Sequence, residues 1–387
     1  MTGPMPPPLS SPARLHPTPA SPDSPGSGGA FGGPPPLPIP GRIPNPPSPL
    51  VVRCLATLPE SPDQAESRRA IAALLDRPAA SPFVTEFTAA AESESVSLDL
   101  VWLAEPRLAI GPCPPMAALA VPGAGSTAMV FVTGGEMPIM GQSDGCARLS
   151  IGNEPGWLIE NRSDLLRAVA NDIAGGSVEA CRGVAMLQAL VDPEQTAIAG
   201  SYIQAGFTRL ARLGYYRRPI HARRGENITW PAGIRLVSMN RLADGEAMLA
   251  RALDRSYIDT LDCPALCGLR PASDVIESHK SVGTFDPALW FILLLGDEPV
   301  GCILLSVCDT EGSVELVYLG LGPEVRGKGL GRGLLVHALG VLAGIGRTLA
   351  CAVDMDNAPA LKLYEQQGFR RFAARDAFIL PLHRAAR

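Results

Sequence analysis

At 387 residues, 46% of them hydrophobic, the chain is long enough for about two domains with sizeable cores at ~150 residues each. A formal charge of −5, from 33 Lys+Arg against 38 Asp+Glu, gives no global reason to expect nucleic acid or an anionic membrane as a partner. No stretch approaches the ~18 consecutive apolar residues of a membrane-spanning helix, no secretion signal is evident, and nine cysteines scattered through apolar runs read as reduced thiols, so a cytoplasmic protein is expected.

Residues 1–50 hold Pro6-Pro7-Pro8 and Pro34-Pro35-Pro36-Leu37-Pro38 among serine and glycine, with too little apolar side chain to bury; a disordered tail is expected. From Val51 the texture changes. Val51 to Leu55 reads as a strand, and Asp63 to Leu75 as an amphipathic helix with Ala70, Ile71 and Leu74 on one side. Strands are expected over Leu98 to Leu103, Met116 to Val121 and Ala128 to Val132. A helix capped by Ser163 follows over Ser163 to Ile173, then a strand or helix-to-strand passage over Arg182 to Val191. Pro193 to Ala205 is a further helix with a first-turn proline. Pro219 to Pro231, with Arg223 and Arg224, reads as a linker.

Gly233 to Met239 opens a second series as a strand. Asp244 to Tyr257 is an amphipathic helix, Tyr257 to Arg270 a loop with Asp259, Asp262, Cys263 and Cys267, and Ala272 to Val282 a short helix. Leu289 to Leu294 and Pro299 to Leu305 form two strands around the turn Gly296-Asp297-Glu298. Val314 to Leu321 is a third, and it runs into Val325-Arg326-Gly327-Lys328-Gly329-Leu330-Gly331-Arg332-Gly333. Apolar residues at helical spacing follow from Leu334 to Leu342. Thr348 to Val353, Ala358 to Gln367 and Phe369 to Leu380 complete the series as strand, helix and strand.

The strand, glycine-rich turn and helix around Arg326 make an anion site, because glycine admits close backbone approach and a helix start leaves N–H groups unpaired. Gly322-x-x-x-x-Gly327-Lys328-Gly329 nears the nucleotide P-loop, but Gly329 stands where a metal-binding hydroxyl is needed. The pattern that fits is Arg326-x-x-Gly329-x-Gly331. Cys263-x-x-x-Cys267 has no second Cys or His pair at ligand spacing, so no metal is expected. His279 and His337 fall within helices, as structural residues.

The two series are related by a repeat. At an offset of 162 residues, Ala189-Leu-Val191-Asp192-Pro-Glu-Gln195 aligns with Cys351-Ala-Val353-Asp354-Met-Asp-Asn357. The same offset carries Tyr202, Gly206, Phe207 and Arg209 onto Tyr364, Gly368, Phe369 and Arg371, and His221 onto His383, giving ten identities in 33 positions. A tandem duplication follows. In the first copy, Val121-Pro-Gly123-Ala-Gly125-Ser-Thr127 stands in the expected place of the phosphate loop without Arg or Lys, and Gln195 replaces Asn357. That copy is expected to have lost its ligand.

Arg326-x-x-Gly329-x-Gly331 resembles the acyl-coenzyme-A pyrophosphate loop of the GNAT superfamily of N-acetyltransferases. Asn357-Ala-Pro-Ala-Leu-Lys-Leu-Tyr364-Glu-Gln-Gln-Gly368-Phe369 is similar to that family's C-terminal motif. The resemblance spans residues 233–383. It implies an α/β (α+β) fold class of two tandem GNAT-like domains, each a mixed, mostly antiparallel sheet flanked by helices. The domains expected are a tail over 1–50, a degenerate copy over 51–222 and a catalytic copy over 231–387.

Acetyl-CoA is then the implied co-substrate, with the N–H groups of Arg326, Gly327, Lys328, Gly329, Leu330 and Gly331 on its pyrophosphate. Lys328 and Arg332 either meet its 3′-phosphate or stay solvated. By the same resemblance, Leu319, Gly320 and Leu321 lie along the pantetheine arm, and Asn357 contacts that arm or an ordered water. Tyr364 is the implied general acid for the leaving thiolate, and Glu315 the implied general base, direct or through water; a packing role is the alternative for Tyr364 and a solvent-facing position for Glu315. The implied partner is a small-molecule or peptide amine, with Asp259 and Asp262 placed to attract a cation, and neither nucleic acid nor membrane. A sensor or scaffold that binds acyl-CoA without using it is the competing reading.

Overall fold

A computed structural model describes residues 50–58, 63–106, 114–135, 154–221, 228–308 and 312–382. Residues 1–49 of the tail expected over 1–50, the linker residues Arg223 and Arg224, and His383 lie outside the described residues, and Leu50 is the buried first residue of a strand.

The first copy runs β1 (Leu50–Cys54), α1 (Gln64–Leu74), α2 (Pro82–Ser93), β2 (Val101–Pro106), β3 (Met116–Gly123), β4 (Thr127–Val132), α3 (Gly156–Gly175), β5 (Met186–Val191), α4 (Thr196–Gln204) and β6 (Thr208–Pro219). The second repeats that order: β7 (Ile234–Ser238), α5 (Gly245–Tyr257), α6 (Ala272–Lys280), β8 (Trp290–Leu295), β9 (Glu298–Val307), β10 (Ser313–Leu321), α7 (Leu330–Val341), β11 (Thr348–Asp354), α8 (Ala358–Gln366) and β12 (Arg370–Pro381). The chain is thus a tandem repeat of one strand-and-helix order, but its strands join in a single mixed sheet flanked by helices and not in the two separate sheets expected.

Local chemistry accounts for most boundaries. Asp63 caps α1 by accepting from the Glu66 N–H at 2.7 Å, which satisfies one orphan donor of the first turn. The sequence reading missed α2, whose β-branched Val84 and Thr85 mask it. Pro82 in its first turn and the buried Val84, Phe87 and Ala91 are the signal that marks it. Ser163 is no cap: α3 begins at Gly156, and the buried Ser163 hydroxyl bonds the Ile159 and Ser201 carbonyls at 2.7 and 3.0 Å.

The strands form one sheet in the order β1-β2-β3-β4-β5-β12-β6-β11-β10-β9-β8-β7. Each copy has therefore given its last strand to the other. Val191 on β5 pairs with Asp376 on β12. Moving each by the repeat offset gives Val353 and Gly214, which pair on β11 and β6, so the junction is pseudo-two-fold. Arg212 forks onto Asp376 at 2.8 and 3.0 Å, and Arg209 joins it at 2.7 Å. Bidentate pairing of this kind locks the register between exchanged strands.

A second contact joins the copies. The stretch 121–127 is the β3–β4 hairpin turn, with Gly123 paired to Thr127, and not the counterpart of the Arg326 loop. That counterpart follows β4 and spans 133–155, of which 136–153 lie outside the described residues. The hairpin turn docks on α6 instead: Arg270 donates to the Gly125 carbonyl at 2.5 Å and the Ser278 hydroxyl to the Ala124 carbonyl at 3.1 Å.

Candidate functional site

The site begins where two strands part. β10 and β11 pair only from Ser313–Thr348 to Glu315–Ala350. Beyond that, β10 continues to Leu321 against β9 alone, while β11 continues to Asp354 against β6. One edge of β10 is therefore left open over a wedge-shaped cleft, its backbone groups available to an extended ligand. A bulge falls at the same place: Leu316 and Tyr318 pair with consecutive residues Leu305 and Leu304, leaving Val317 as the extra residue. No sequence signal marked Val317.

Leu319, Gly320 and Leu321 line this open end. Gly320 is required by crowding, since a Cβ there would lie 2.5 Å from the Tyr318 hydroxyl. The turn that follows holds Gly327 at φ 73° and Gly329 at φ 76°, a left-handed conformation costly for any residue with a Cβ. α7 then starts, its first bond running from the Gly333 N–H to the Gly329 carbonyl at 3.1 Å. Among the described residues, the N–H groups of Gly327, Lys328, Gly329, Leu330 and Gly331 meet no protein acceptor. Five free amides at a helix start form an anion cradle. Lys328 and Arg332 lie exposed beside it.

Arg326 has a different place from its neighbours. Its guanidinium donates to the carbonyls of Leu321 (2.9 Å), Asp259 (3.0 Å), Ser256 (2.9 Å) and Ile258 (2.7 Å), and its own N–H bonds Pro323 at 3.3 Å. The N–H expected on the pyrophosphate is thus engaged, and the guanidinium closes the C-terminal end of α5, satisfying carbonyls that the helix leaves open. It ties the end of β10 to the loop after α5.

Tyr364 is buried on α8 with its ring 5.3 Å from that of Phe369. Burial raises its pKa well above the ordinary phenol value, so it stays protonated. Its hydroxyl has no hydrogen-bond partner among the described residues. Asn357 starts the same helix, its carboxamide oxygen accepting from the Ala360 N–H at 3.3 Å. Glu315 is also buried, opposite Ser306 and Ala350, and burial pushes its carboxyl up to about 8.

Asp259 is exposed at φ 50°. Asp262 clips the loop to β11: its carboxylate accepts from the Asp354 N–H at 3.3 Å, while Asp354 accepts from the Cys263 N–H at 3.1 Å. Burial pushes Asp262 up to about 6. His279 is buried against Tyr318, ring centroids 5.6 Å apart. Among the described residues no group of three or more His, Cys, Asp or Glu could hold a metal, and no helix is long and apolar enough to cross a membrane.

The first copy presents the same wedge with its groups engaged. Met129 pairs with Gln188 as Glu315 pairs with Ala350, so a thioether stands in the place of the carboxyl. The Tyr202 hydroxyl donates to the Val130 carbonyl at 2.8 Å. Arg162 donates to the Thr133 carbonyl at 2.8 Å and Gln195 to the Gly134 carbonyl at 3.2 Å. Three side chains thus occupy the backbone acceptors where β4 ends.

Residues 257–369 match the model of the Acetyltransferase (GNAT) family, a stretch that begins at the end of α5 and includes the cradle, Glu315 and Tyr364. Mycothiol acetyltransferase of Streptomyces bingchenggensis is 40% identical over 98 residues, 25% of this chain and 32% of that one. The Kineococcus radiotolerans protein of the same name is 43% identical over 101 residues, 26% and 32% of the two chains. That of Thermomonospora curvata is 30% identical over 170 residues, 43% and 54%. The aligned part spans about a third of the length of the first two relatives. A solved GCN5-related N-acetyltransferase from Sphaerobacter thermophilus aligns over 88% of this chain and 98% of its own, at 16% identity and a TM-score of 0.46. The family match falls on the elements that build the cradle and the open strand edge, so it is residues 257–369 of the C-terminal copy that are similar to the GNAT family of acetyltransferases.

Proposed function

We propose that the second copy transfers an acetyl group from acetyl-CoA to an amine by direct attack. The observation that carries this is the run of free amides from Gly327 to Gly331 beside the open edge of β10. Together they suit a ligand with a pyrophosphate at one end and an extended amide-bearing arm at the other. Acetyl-CoA supplies the activated acyl carbon.

The chain's own residues supply the rest. The open backbone edge around Val317 to Leu321 bonds the arm and polarises the carbonyl. Glu315, with its carboxyl pushed up to about 8, is once ionised a base strong enough to draw a proton from an ammonium. The neutral amine nitrogen then attacks the thioester carbon, the C–S bond breaks as Tyr364 gives its proton to the departing sulfur, and the proton shed by the new amide nitrogen restores the phenol through solvent. Asn357 holds the start of α8 and so the position of Tyr364. Three engaged carbonyls in the first copy support a single working site per chain, in a domain over 231–387 that follows a non-binding domain over 51–222.

The relatives are named for mycothiol, so the amine form of mycothiol that lacks the acetyl group is the first acceptor to test. The experiment is release of free thiol from acetyl-CoA against a panel of amines, with coenzyme A titrated separately. Coenzyme binding with turnover of an amine supports the enzyme; tight coenzyme binding with no turnover supports the sensor reading.

A further inference from the structure

One row of side chains crosses the junction of the two copies. Ser306 on β9 pairs with Glu315 on β10, Glu315 with Ala350 on β11, Ala350 with Arg217 on β6, and Arg217 with Arg370 on β12. Directly paired residues point to the same side of a sheet, so all five share one face. Ser306, Glu315 and Ala350 are buried, whereas Arg217 and Arg370 are exposed. The row runs from a buried carboxyl, across the small methyl of Ala350, to two guanidinium groups open to solvent.

The arginine pair has no structural explanation in ion pairing. Like charges directly opposite destabilise a strand pair, and neither arginine has a carboxylate partner among the described residues. On the same strand Arg209 and Arg212 do, both on Asp376. The Arg217 guanidinium lies over the Phe372 ring, 5.0 Å from its centroid. That contact orients the fork and leaves its in-plane donors for a planar acceptor.

We infer that Arg217 and Arg370 bind a carboxylate or phosphate carried by the acceptor, whose amine lies beside Glu315. The inference rests on the acetyltransferase reading above. Strands stand ~4.8 Å apart, so the backbones at Glu315 and Arg217 are separated by ~10 Å, a distance that a long, flexible arginine side chain can shorten. The span suits a small amino acid or aminoalkyl phosphate. Arg217 belongs to the first copy and reaches the row because the last strands are exchanged. The first copy thereby supplies a specificity-determining residue to the second.

The test is calorimetric titration of the full chain, saturated with coenzyme A, with glycylglycine, glycinamide, phosphoethanolamine and ethanolamine. The wild type should bind at least one of the two anionic amines ten or more times tighter than its neutral counterpart. Arg217→Ala and Arg370→Ala should each remove most of that preference while leaving the neutral amines unchanged, and Arg217→Lys should restore part of it. The glycylglycine and phosphoethanolamine arms tell carboxylate from phosphate. Equal binding of anionic and neutral amines, no binding of either anionic amine, or a preference that survives both alanine variants overturns the inference. Coenzyme A titrated alone is the separate control: failure there sinks the acetyltransferase reading, and intact coenzyme binding without anion preference sinks this inference only.

Discussion

Tyr202 and Tyr364 are repeat mates on α4 and α8, yet only the Tyr202 hydroxyl is held, at 2.8 Å, by a strand carbonyl, that of Val130. Tyr364 keeps its hydroxyl unengaged among the described residues. The shared ring position is a packing feature of the fold, and the free hydroxyl separates the second copy from the first. Tyr364→Phe should lower kcat by about 10²- to 10⁴-fold, the range for a lost general acid, with KM for acetyl-CoA within about twofold of the wild type. Tyr202→Phe should leave kcat unchanged and cost about 1 kcal/mol of stability for the lost hydrogen bond. Equal effects of the two changes on kcat would remove the catalytic assignment.

The cradle should read out in coenzyme binding. Gly329→Ala places a Cβ in open space but at φ 76°, so its cost is conformational, about 1–2 kcal/mol. Relief of that strain would turn the N–H groups away from the ligand. Coenzyme A affinity should fall by at least tenfold. In hydrogen exchange, coenzyme A should protect the amides of 327–331 and leave those of 130–135 unchanged. Protection of both segments would mean that the first copy binds as well.

The second copy was legible in the sequence nearly element by element, because its strands are β-branched or leucine-rich runs and its helices carry one apolar face. What escaped depends on partners distant in the chain. Nothing in Gly214 or Asp376 indicates that their strands are exchanged, since a strand's pattern records which face is buried and not which neighbour it pairs with. Arg326 stood in a basic, glycine-rich run, but its destination was fixed by carbonyls at Ser256 and Ile258. The glycines of 123–125 suggested a lost phosphate loop and proved to be a hairpin turn.

Glu315 should impose a pH dependence on both rate and stability. As the base it must be ionised, so kcat should rise about tenfold per pH unit and level off near 8. Glu315→Gln should lower kcat and flatten that limb. For stability, its folded pKa of about 8 lies above the ordinary 4.5, so the folded state holds a proton that the unfolded state has released. Both states are protonated below about 4.5, and stability then declines as pH rises, until it levels off above about 8. Glu315→Gln should therefore raise Tm over the wild type at pH 9 and match it near pH 4. A constant Tm difference across that range would place Glu315 in a solvated position.

Gly125 tests whether the copies are coupled. A Cβ there would lie 2.1 Å from both the Asp274 carbonyl and the Ser278 hydroxyl, and the residue holds φ 69°. Gly125→Ala must push the hairpin turn off α6 and break the bonds from the buried Arg270 guanidinium and the Ser278 hydroxyl to the Gly125 and Ala124 carbonyls. A loss of about 2–4 kcal/mol is expected from strain plus the two lost hydrogen bonds. It should appear in denaturant unfolding as a lower midpoint, with faster hydrogen exchange in α6. An unchanged midpoint would show that the turn and α6 are not in contact in solution.

Arg326 separates a structural arginine from a ligand-binding one. If its guanidinium closes α5 through four carbonyls, replacement removes charge-assisted bonds worth about 2–4 kcal/mol together and frees the loop after α5. Arg326→Gln should therefore lower the midpoint and accelerate exchange over 256–262, including the segment that Asp262 clips to β11. Coenzyme A affinity should fall indirectly, through loosening of the β10 end where Leu321 is held. The discriminating measurement is salt dependence. A guanidinium on the coenzyme's phosphates makes affinity fall more steeply with salt, because salt screens that pair, so its loss flattens that slope. A guanidinium on backbone carbonyls leaves the slope unchanged while lowering affinity at every salt concentration, and that parallel shift is the expected result. A flattened slope with an unchanged midpoint would return Arg326 to the phosphate.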